Sequence, residues 1–434
     1  ADRCWREILL TENSRVLAFE VLADVQFQGA FSNLLLPKRL NESGLAQRDR
    51  AFVTELVYGS IRMQGLMDHY LLQLSQRPLD SIDPKVRLVA QIGLYQLTQM
   101  RVPEHACVNE STELAKKVVG KAAASFINAV LRQSQRIELT MPTGDSPADL
   151  AIRYSHPEWI VNSLRDRLRG DGLEDLLASH NVPATPVLIA WPGLSTQEEL
   201  LAAGANPISG SKVAATFDGA PRDIAAIRER RAGVQDLGSQ RVVESFYATN
   251  SGGLRWLDLC AGPGGKAAYL DALIDDGELV ANEISKERSS LVAGVIRKGV
   301  VTNFDGRTMP ESVGKFDRIL IDAPCTGIGA LRRRPEVRWR RTVGDLKNLI
   351  ALQGELLDAA VRMLRPGGII GYATCSPHLA ETKFQVRNFL ERHKDFNRQK
   401  VTDSRADIDG DLQLFTHIDG TDSMFLSLLA NTSQ

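Results

Sequence analysis

Two cysteines of this chain stand just behind apolar runs, in Ile321-Asp322-Ala323-Pro324-Cys325 and in Tyr372-Ala373-Thr374-Cys375-Ser376-Pro377. A thiol attacks carbon or removes a proton only as the thiolate. With an ordinary pKa near 8.5 it is only about 3% ionised at pH 7, so a working pair calls for a nearby cation. One such cysteine would be inert core. Two at the exits of neighbouring strands, with the Asp322 carboxyl beside them, can face one ligand, because open α/β sheets bind ligands outside the carboxyl ends of their strands. The set matches one demanding reaction on cytosine. A thiolate adds to C6 and makes C5 enamine-like, a group at N3 assists, C5 accepts an electrophilic methyl, and a base removes the C5 proton so that the thiolate can leave. Cys375, Cys325 and Asp322 supply a nucleophile, a base and an N3 contact. Arg332 to Arg334 or Lys266 are the cations that could lower a thiol pKa.

A methyl donor has its own signal. Residues 257–266 read Leu-Asp-Leu-Cys-Ala-Gly-Pro-Gly-Gly-Lys and run from an expected strand into an expected helix. Glycines at such a turn let backbone approach a ligand and leave helix N–H groups free. Glu283 follows Cys260 by 23 residues, the place of an acid that binds ribose hydroxyls. The spacing is not G-x-G-x-x-G, and Ala267 after Lys266 rules out a P-loop. A nucleoside cofactor without phosphates, S-adenosyl-L-methionine, fits better than a dinucleotide. Asp305 would hold its adenine amino group or cap a turn.

The elements that must position these groups follow from periodicity. From about residue 231, strands are expected at 256–259, 279–282, 300–304, 318–321 and 369–373, with helices between most of them. This alternation predicts a parallel sheet covered on both faces. Two late runs, 412–415 and 424–429, would make an antiparallel edge. Residues 13 to about 138 carry apolar positions three and four apart, with Pro37, Pro78, Pro84 and Pro103 at the expected helix breaks. Residues 141–230 are rich in Pro, Gly and Ala, with short strand-like runs at 187–190 and 213–217. The expected organisation is multidomain: an all-α domain at 1–140, a small α+β connector at 141–230 and an α/β Rossmann-like catalytic domain at 231–434.

The chain has 434 residues, 43% of them hydrophobic and 24% charged, which suits globular domains. No apolar run is long enough to span a bilayer, no leader opens the chain, and five cysteines make no disulfide framework. The expected compartment is the cytoplasm, and neither a membrane nor an obligate protein partner is inferred. Cys4 and Cys107 read as packing or stray thiols, and no metal cluster is expected. A net charge of −1 argues weakly against nucleic acid, but residues 331–341 hold six arginines around a tryptophan. Guanidinium groups grip phosphate and, with indole, stack on bases. Arg332, Arg333, Arg334, Arg338, Trp339 and Arg340 are therefore expected to contact RNA.

Asp322 to Cys325, Thr374 to Ser376 and the Cys260–Lys266 turn together resemble the RNA cytosine-C5 methyltransferases of the NOL1/NOP2/Sun family. The stretches 102–117 and 124–132 resemble the NusB-type RNA-binding domain. That pairing is similar to the bacterial 16S rRNA branch of the family, the RsmB/Fmu type, over nearly the whole chain. The resemblance implies a class I fold, S-adenosyl-L-methionine as cofactor and 16S rRNA as partner. It makes Cys375 the nucleophile and Cys325 the residue that assists release, although the residues themselves leave the exchange of these roles open. It assigns cofactor contacts to Cys260, Ala261, Gly262, Pro263, Gly264, Gly265, Lys266, Glu283, Arg288, Asp305 and Asp322. The chain departs from the family at Glu283, where Asp is usual, and at Ser376 to Glu381, where Pro-Glu-Glu-Asn usually follows. Gln235 to Gln240 keeps the entry motif of the family. Competing readings are a tRNA cytosine-C5 methyltransferase, a hydride-transferring oxidoreductase and a non-catalytic rRNA-binding assembly factor.

Overall fold

A computed structural model describes residues 13–100, 102–251 and 254–432. Cys4 lies outside them. The chain divides into two compact units, one of residues 1–162, 173–182 and 331–340, the other of residues 163–172, 183–330 and 341–434. Among the described residues no helix is long and apolar enough to cross a membrane.

The first unit is helical, from Ser14–Phe27 through Lys121–Gln133. Its starts are chemically marked. Asn13 accepts from the N–H groups of Arg15 and Val16, and Asp83 caps Pro84–Thr98. Pro84 sits in the first turn, where its missing N–H breaks no hydrogen bond. Pro37, expected at a break, instead lies inside Ser32–Glu42. Leu22, Leu56, Ile92, Ile127 and Leu131 meet in one core. Cys107 is buried there, its thiol donating to the Gly93 carbonyl at 3.3 Å.

The arginine-rich segment belongs to this unit and corrects part of the RNA expectation. Arg338 has no exposed surface. Its guanidinium donates to Ser155 O at 2.9 Å, Asn181 Oδ1 at 2.8 Å, His180 O at 3.2 Å and Arg62 O at 3.3 Å. Trp339 Nε1 donates to Ile61 O at 2.8 Å. Arg340 donates to the carbonyls of Val25 and Ala30 and lies over the Phe31 ring. Glu336 accepts from the N–H and hydroxyl of Ser32. Arg338 is thus an internal strut, and Trp339 and Arg340, half-buried, tie to backbone carbonyls. The donors of Arg338 serve carbonyls that would otherwise go unmet, so this guanidinium is not offered to RNA. Arg332, Arg333 and Arg334 are half-buried.

The second unit contains two sheets. The smaller pairs Val187–Ala190 antiparallel with Ala214–Thr216 and with Ala232–Val234, and Asn206–Pro207 lies at its edge. The larger holds β1 (Leu254–Asp258), β2 (Gly277–Asn282), β3 (Val300–Thr302), β4 (Phe316–Asp322), β5 (Leu364–Thr374), β6 (Phe396–Gln399), β7 (Leu412–Gln413) and β8 (Phe425–Asn431). Their order is β6-β8-β5-β4-β1-β2-β3, with β7 also on β8. From β3 to β5 all pairs are parallel, and β8 runs antiparallel to β5, β6 and β7. The β7–β8 pair was expected as an edge, but β8 is interior because β6 covers part of its far side. Apolar β1, β4 and β5, including Leu257, Ile319, Ile321, Ile370 and Tyr372, pack under Leu356 and Leu357 of Val343–Met363.

Replacing Arg338 by Ala strands several buried carbonyls. A loss of about 3 kcal/mol is expected, the scale for removing a buried charged donor, read as a lower urea midpoint. A change within about 0.5 kcal/mol, as for surface substitutions, would show that the guanidinium is no strut.

Candidate active site

Register brings the two cysteines together. Asp322 on β4 pairs with Ala373 on β5, and both strands then leave the sheet at the same end. Cys325 follows Asp322 by three positions and Cys375 follows Ala373 by two. Their sulfurs stand 3.3 Å apart, unbonded. The hydrogen bond with Cys375, then burial, hold the Cys325 thiol well above its ordinary pKa. The Cys325 thiol therefore keeps its proton.

Lys266, in the first turn of the helix Gly265–Leu273, donates to Asp322 Oδ2 at 2.9 Å. Burial alone would lower the pKa of this ammonium. The charges of Asp322, Cys375 and Asp258 outweigh burial and raise it. Lys266 is thus a buried cation whose charge is felt at Asp322, Cys375 and Asp258. The arginine alternatives, Arg332 to Arg334, belong to the helical unit.

The glycine turn is built around Glu283. This buried carboxylate accepts from Gly262 N and Ser285 N, both at 3.0 Å, and Arg288 lies 3.6 Å away while also reaching Gly262 O. A Cβ on Gly262 would meet Glu283 Oε2 at 2.1 Å, so only glycine fits. Gly264, at φ +114°, starts the helix and closes onto Ala261 O at 2.8 Å. Pro263 lies between these two glycines. Cys260 is held protonated by burial and the surrounding acids, so its thiol is no competitor to Cys375. Asp305 caps the turn Gly306–Thr308 and pairs with Arg307 at 2.7 Å. Its carboxylate thus caps a turn and faces a cation.

Four residues without an assigned role also shape this site. Asn282, buried at the end of β2, donates to Leu259 O and Phe304 O and accepts from Phe304 N and Thr302 Oγ1, tying three strand ends together. Asn303 donates to the carbonyls of Glu283 and Ile284. Asp258 is fully buried, and among the described residues only the backbone N–H of Cys260 bears on its carboxyl, with no side-chain hydrogen bond. Burial, then repulsion from Asp322, push its pKa up to about 8 despite Lys266. Gln235, beside Gly265, has both amide atoms buried and unmatched. A buried carboxyl with spare acceptor capacity and an orphaned amide at a helix N-terminus fit the ammonium and carboxylate of an amino-acid-bearing nucleoside such as S-adenosyl-L-methionine. Asp258 lay inside the quoted glycine motif, and its position at the strand end could have drawn attention to it.

A family described as 16S rRNA methyltransferase RsmB/F matches residues 249–430, and the NusB family matches residues 12–136. The Mycobacterium tuberculosis protein Rv1407 is 40% identical over 96% of both chains. A Salmonella paratyphi B protein named ribosomal RNA small subunit methyltransferase B is 31% identical, over 88% of this chain and 91% of its own. The crystal structure of PH0851 shares the fold at a TM-score of 0.82 and 22% identity, covering 96% of this chain and 98% of that one. NSun6 from Pyrococcus horikoshii, solved with the S-adenosylmethionine analogue SFG, aligns at 0.57 and 16% identity, over 64% and 99%.

The sign of the Asp258 shift gives a test. Its pKa rises from 3.8 to about 8, so the stability it contributes is full below about pH 4 and lost as pH rises through 8. A bound ammonium reverses this preference and expels the proton. Affinity for S-adenosylhomocysteine, measured by calorimetry, should therefore rise with pH by up to about tenfold per unit below pH 8 and then level off. Asp258→Asn should bind more weakly with that slope flattened. An unchanged slope in the variant would assign the proton elsewhere.

Proposed function

Since the chain belongs to the 16S rRNA methyltransferase RsmB/F family and uses S-adenosyl-L-methionine as cofactor, we propose that it methylates C5 of a cytosine in small-subunit rRNA through a covalent bond from Cys375 to C6. One observation carries this reading: the 3.3 Å approach of the two sulfurs next to the Lys266–Asp322 pair. Neither a hydride-transfer site nor a passive RNA binder has a use for two such thiols.

The steps follow from the charges. Lys266 favours the Cys375 thiolate, which adds to C6 and places the electron pair of the C5–C6 bond on C5. Asp322, oriented by Lys266, faces the N3 edge and accepts a hydrogen bond from N3 once that nitrogen takes a proton from solvent, which stabilises the ring as charge develops. The bound cofactor supplies an electrophilic methyl on its sulfonium, the group that C5 takes. Once Cys375 is a thioether, it no longer holds the proton on Cys325, and that thiol can ionise to solvent. Cys325 then removes the C5 proton, C5=C6 re-forms and the Cys375 thiolate leaves. A target cytosine within a duplex must first be flipped out at a few kcal/mol, so a loop is favoured. Glu283 suits the ribose hydroxyls and Arg288 steadies that acid. The helical unit, with Arg332 to Arg334, supplies RNA contacts.

The test uses labelled cofactor with naked 16S rRNA and with assembled 30S particles. Cys375→Ala should lose methyl transfer and form no adduct. Cys325→Ala should accumulate a covalent protein–RNA adduct, seen as a denaturant-stable shift on a gel, because addition proceeds and elimination stalls. An adduct from the Cys375 variant alone would exchange the two roles. Methyl transfer undiminished in both variants would refute the thiol mechanism.

A further inference from the structure

Glu381 ends the short turn Leu379–Glu381, six residues beyond Cys375, and has no exposed surface. Its Oε1 accepts from Thr326 N at 2.7 Å and from Gln353 Nε2 at 3.2 Å, and its Oε2 accepts from Thr326 Oγ1 at 2.5 Å. Thr326 is the residue after Cys325. On the other side of that cysteine, the Pro324 carbonyl accepts from the same Gln353 amide at 2.9 Å. The backbone is therefore gripped immediately before and after Cys325. The network also reaches the second cysteine. Thr326 Oγ1 lies 3.3 Å from the hydroxyl of Ser376, the residue after Cys375. Tyr372, three residues before Cys375 on β5, donates to Gln353 Oε1 at 3.1 Å and to the Glu381 carbonyl at 2.8 Å. Gly329 N donates to Cys375 O at 3.0 Å, and a Cβ at Gly329 would lie 2.8 Å from that oxygen.

A buried carboxylate is a poor device for stability alone, since apolar side chains of similar volume often hold a fold as well or better. What the carboxylate adds is direction, because its two oxygens fix a backbone N–H and a hydroxyl of one residue together. We propose that Glu381 is a positioning residue, which acts through Thr326 and Gln353 to set the spacing between the Cys325 and Cys375 sulfurs. This rests on the reading of those cysteines as the reacting pair. It predicts that loss of the carboxylate slows thiol chemistry while leaving the cofactor turn, on the strands β1 and β2, intact.

The experiment compares the full-length wild type with Glu381→Gln, Thr326→Val and Thr326→Ser, each checked for cooperative unfolding. The first readout needs no RNA. Diamide oxidises the two thiols to a disulfide and is itself reduced to the hydrazine, taking up the two electrons and two protons released. The rate is followed by peptide mapping of the Cys325–Cys375 bond. The second readout is methyl transfer to RNA. Glu381→Gln and Thr326→Val should form the disulfide at least about tenfold more slowly and lose about 100-fold in kcat, the scale for misplacing a reacting group by about 1 Å. Their KM for RNA and Kd for S-adenosylhomocysteine should stay near wild type. Thr326→Ser keeps the hydroxyl and should keep both rates. Wild-type disulfide rates in folded Glu381→Gln and Thr326→Val, or losses confined to KM and Kd, would overturn the proposal. A wild-type protein that methylates no small-subunit RNA would overturn the proposed function, while the same contrast in disulfide rates would still support the role of Glu381.

Discussion

The parallel pairing of β4 with β5 is the constraint on which the site depends. Asp322 and Ala373 sit opposite each other, and the two chains emerge side by side with a cysteine a few residues beyond. A slip of one residue would turn every side chain of one strand to the other face of the sheet. It would bury Asp322 in apolar core and draw the thiols apart. The register is protected because both faces are filled. Ile319, Ile321, Ile370 and Tyr372 pack on one side, and Leu320 and Ala373 join the core on the other. The chemistry at the strand ends is held by packing that takes no part in it.

Charge is distributed with comparable economy. Lys266 is the cation that Asp322, Cys375 and Asp258 all act upon, and it stands in the first helical turn, anchored by the same glycine loop that would receive the cofactor. The glycine turn and Cys375 therefore share one electrostatic centre. A bound ammonium, by expelling the proton of Asp258, also changes the field around Lys266 and Cys375. The acids at the end of β2 behave differently. Glu283 is satisfied by backbone N–H groups and serves as a template for the loop, with Asn282 and Asn303 joining it to the neighbouring strands.

Much of this was legible in the residues. Long apolar periodicities marked the helices, and apolar runs ending in Asp or Thr marked β1, β4 and β5. Where the reading failed, the cause was context. β6 has Phe396 as the sole large apolar residue among Phe-Asn-Arg-Gln, and it is a strand because β8 offers it a hydrogen-bonding edge. Pro37 is tolerated within a helix although its ring normally breaks one. The arginine run looked like a phosphate-binding face, yet Arg338, Trp339 and Arg340 point at backbone carbonyls. A guanidinium that grips phosphate is chemically the same group as one that satisfies helix ends, and composition alone does not separate the two uses.

The sequence by itself determined the reagents: two thiols, a carboxyl, a lysine and a glycine turn, each at the end of an element whose type follows from periodicity. Those features are local, and local chemistry is written in adjacent residues. Only the tertiary structure decided that the Cys325 thiol is held well above its ordinary pKa, that Lys266 pairs with Asp322, and that Glu381, Thr326 and Gln353 bond the backbone on either side of Cys325. These depend on contacts between residues some 30 to 60 positions apart, which arise when a sheet register aligns strand ends and burial removes the water that would otherwise satisfy each group alone.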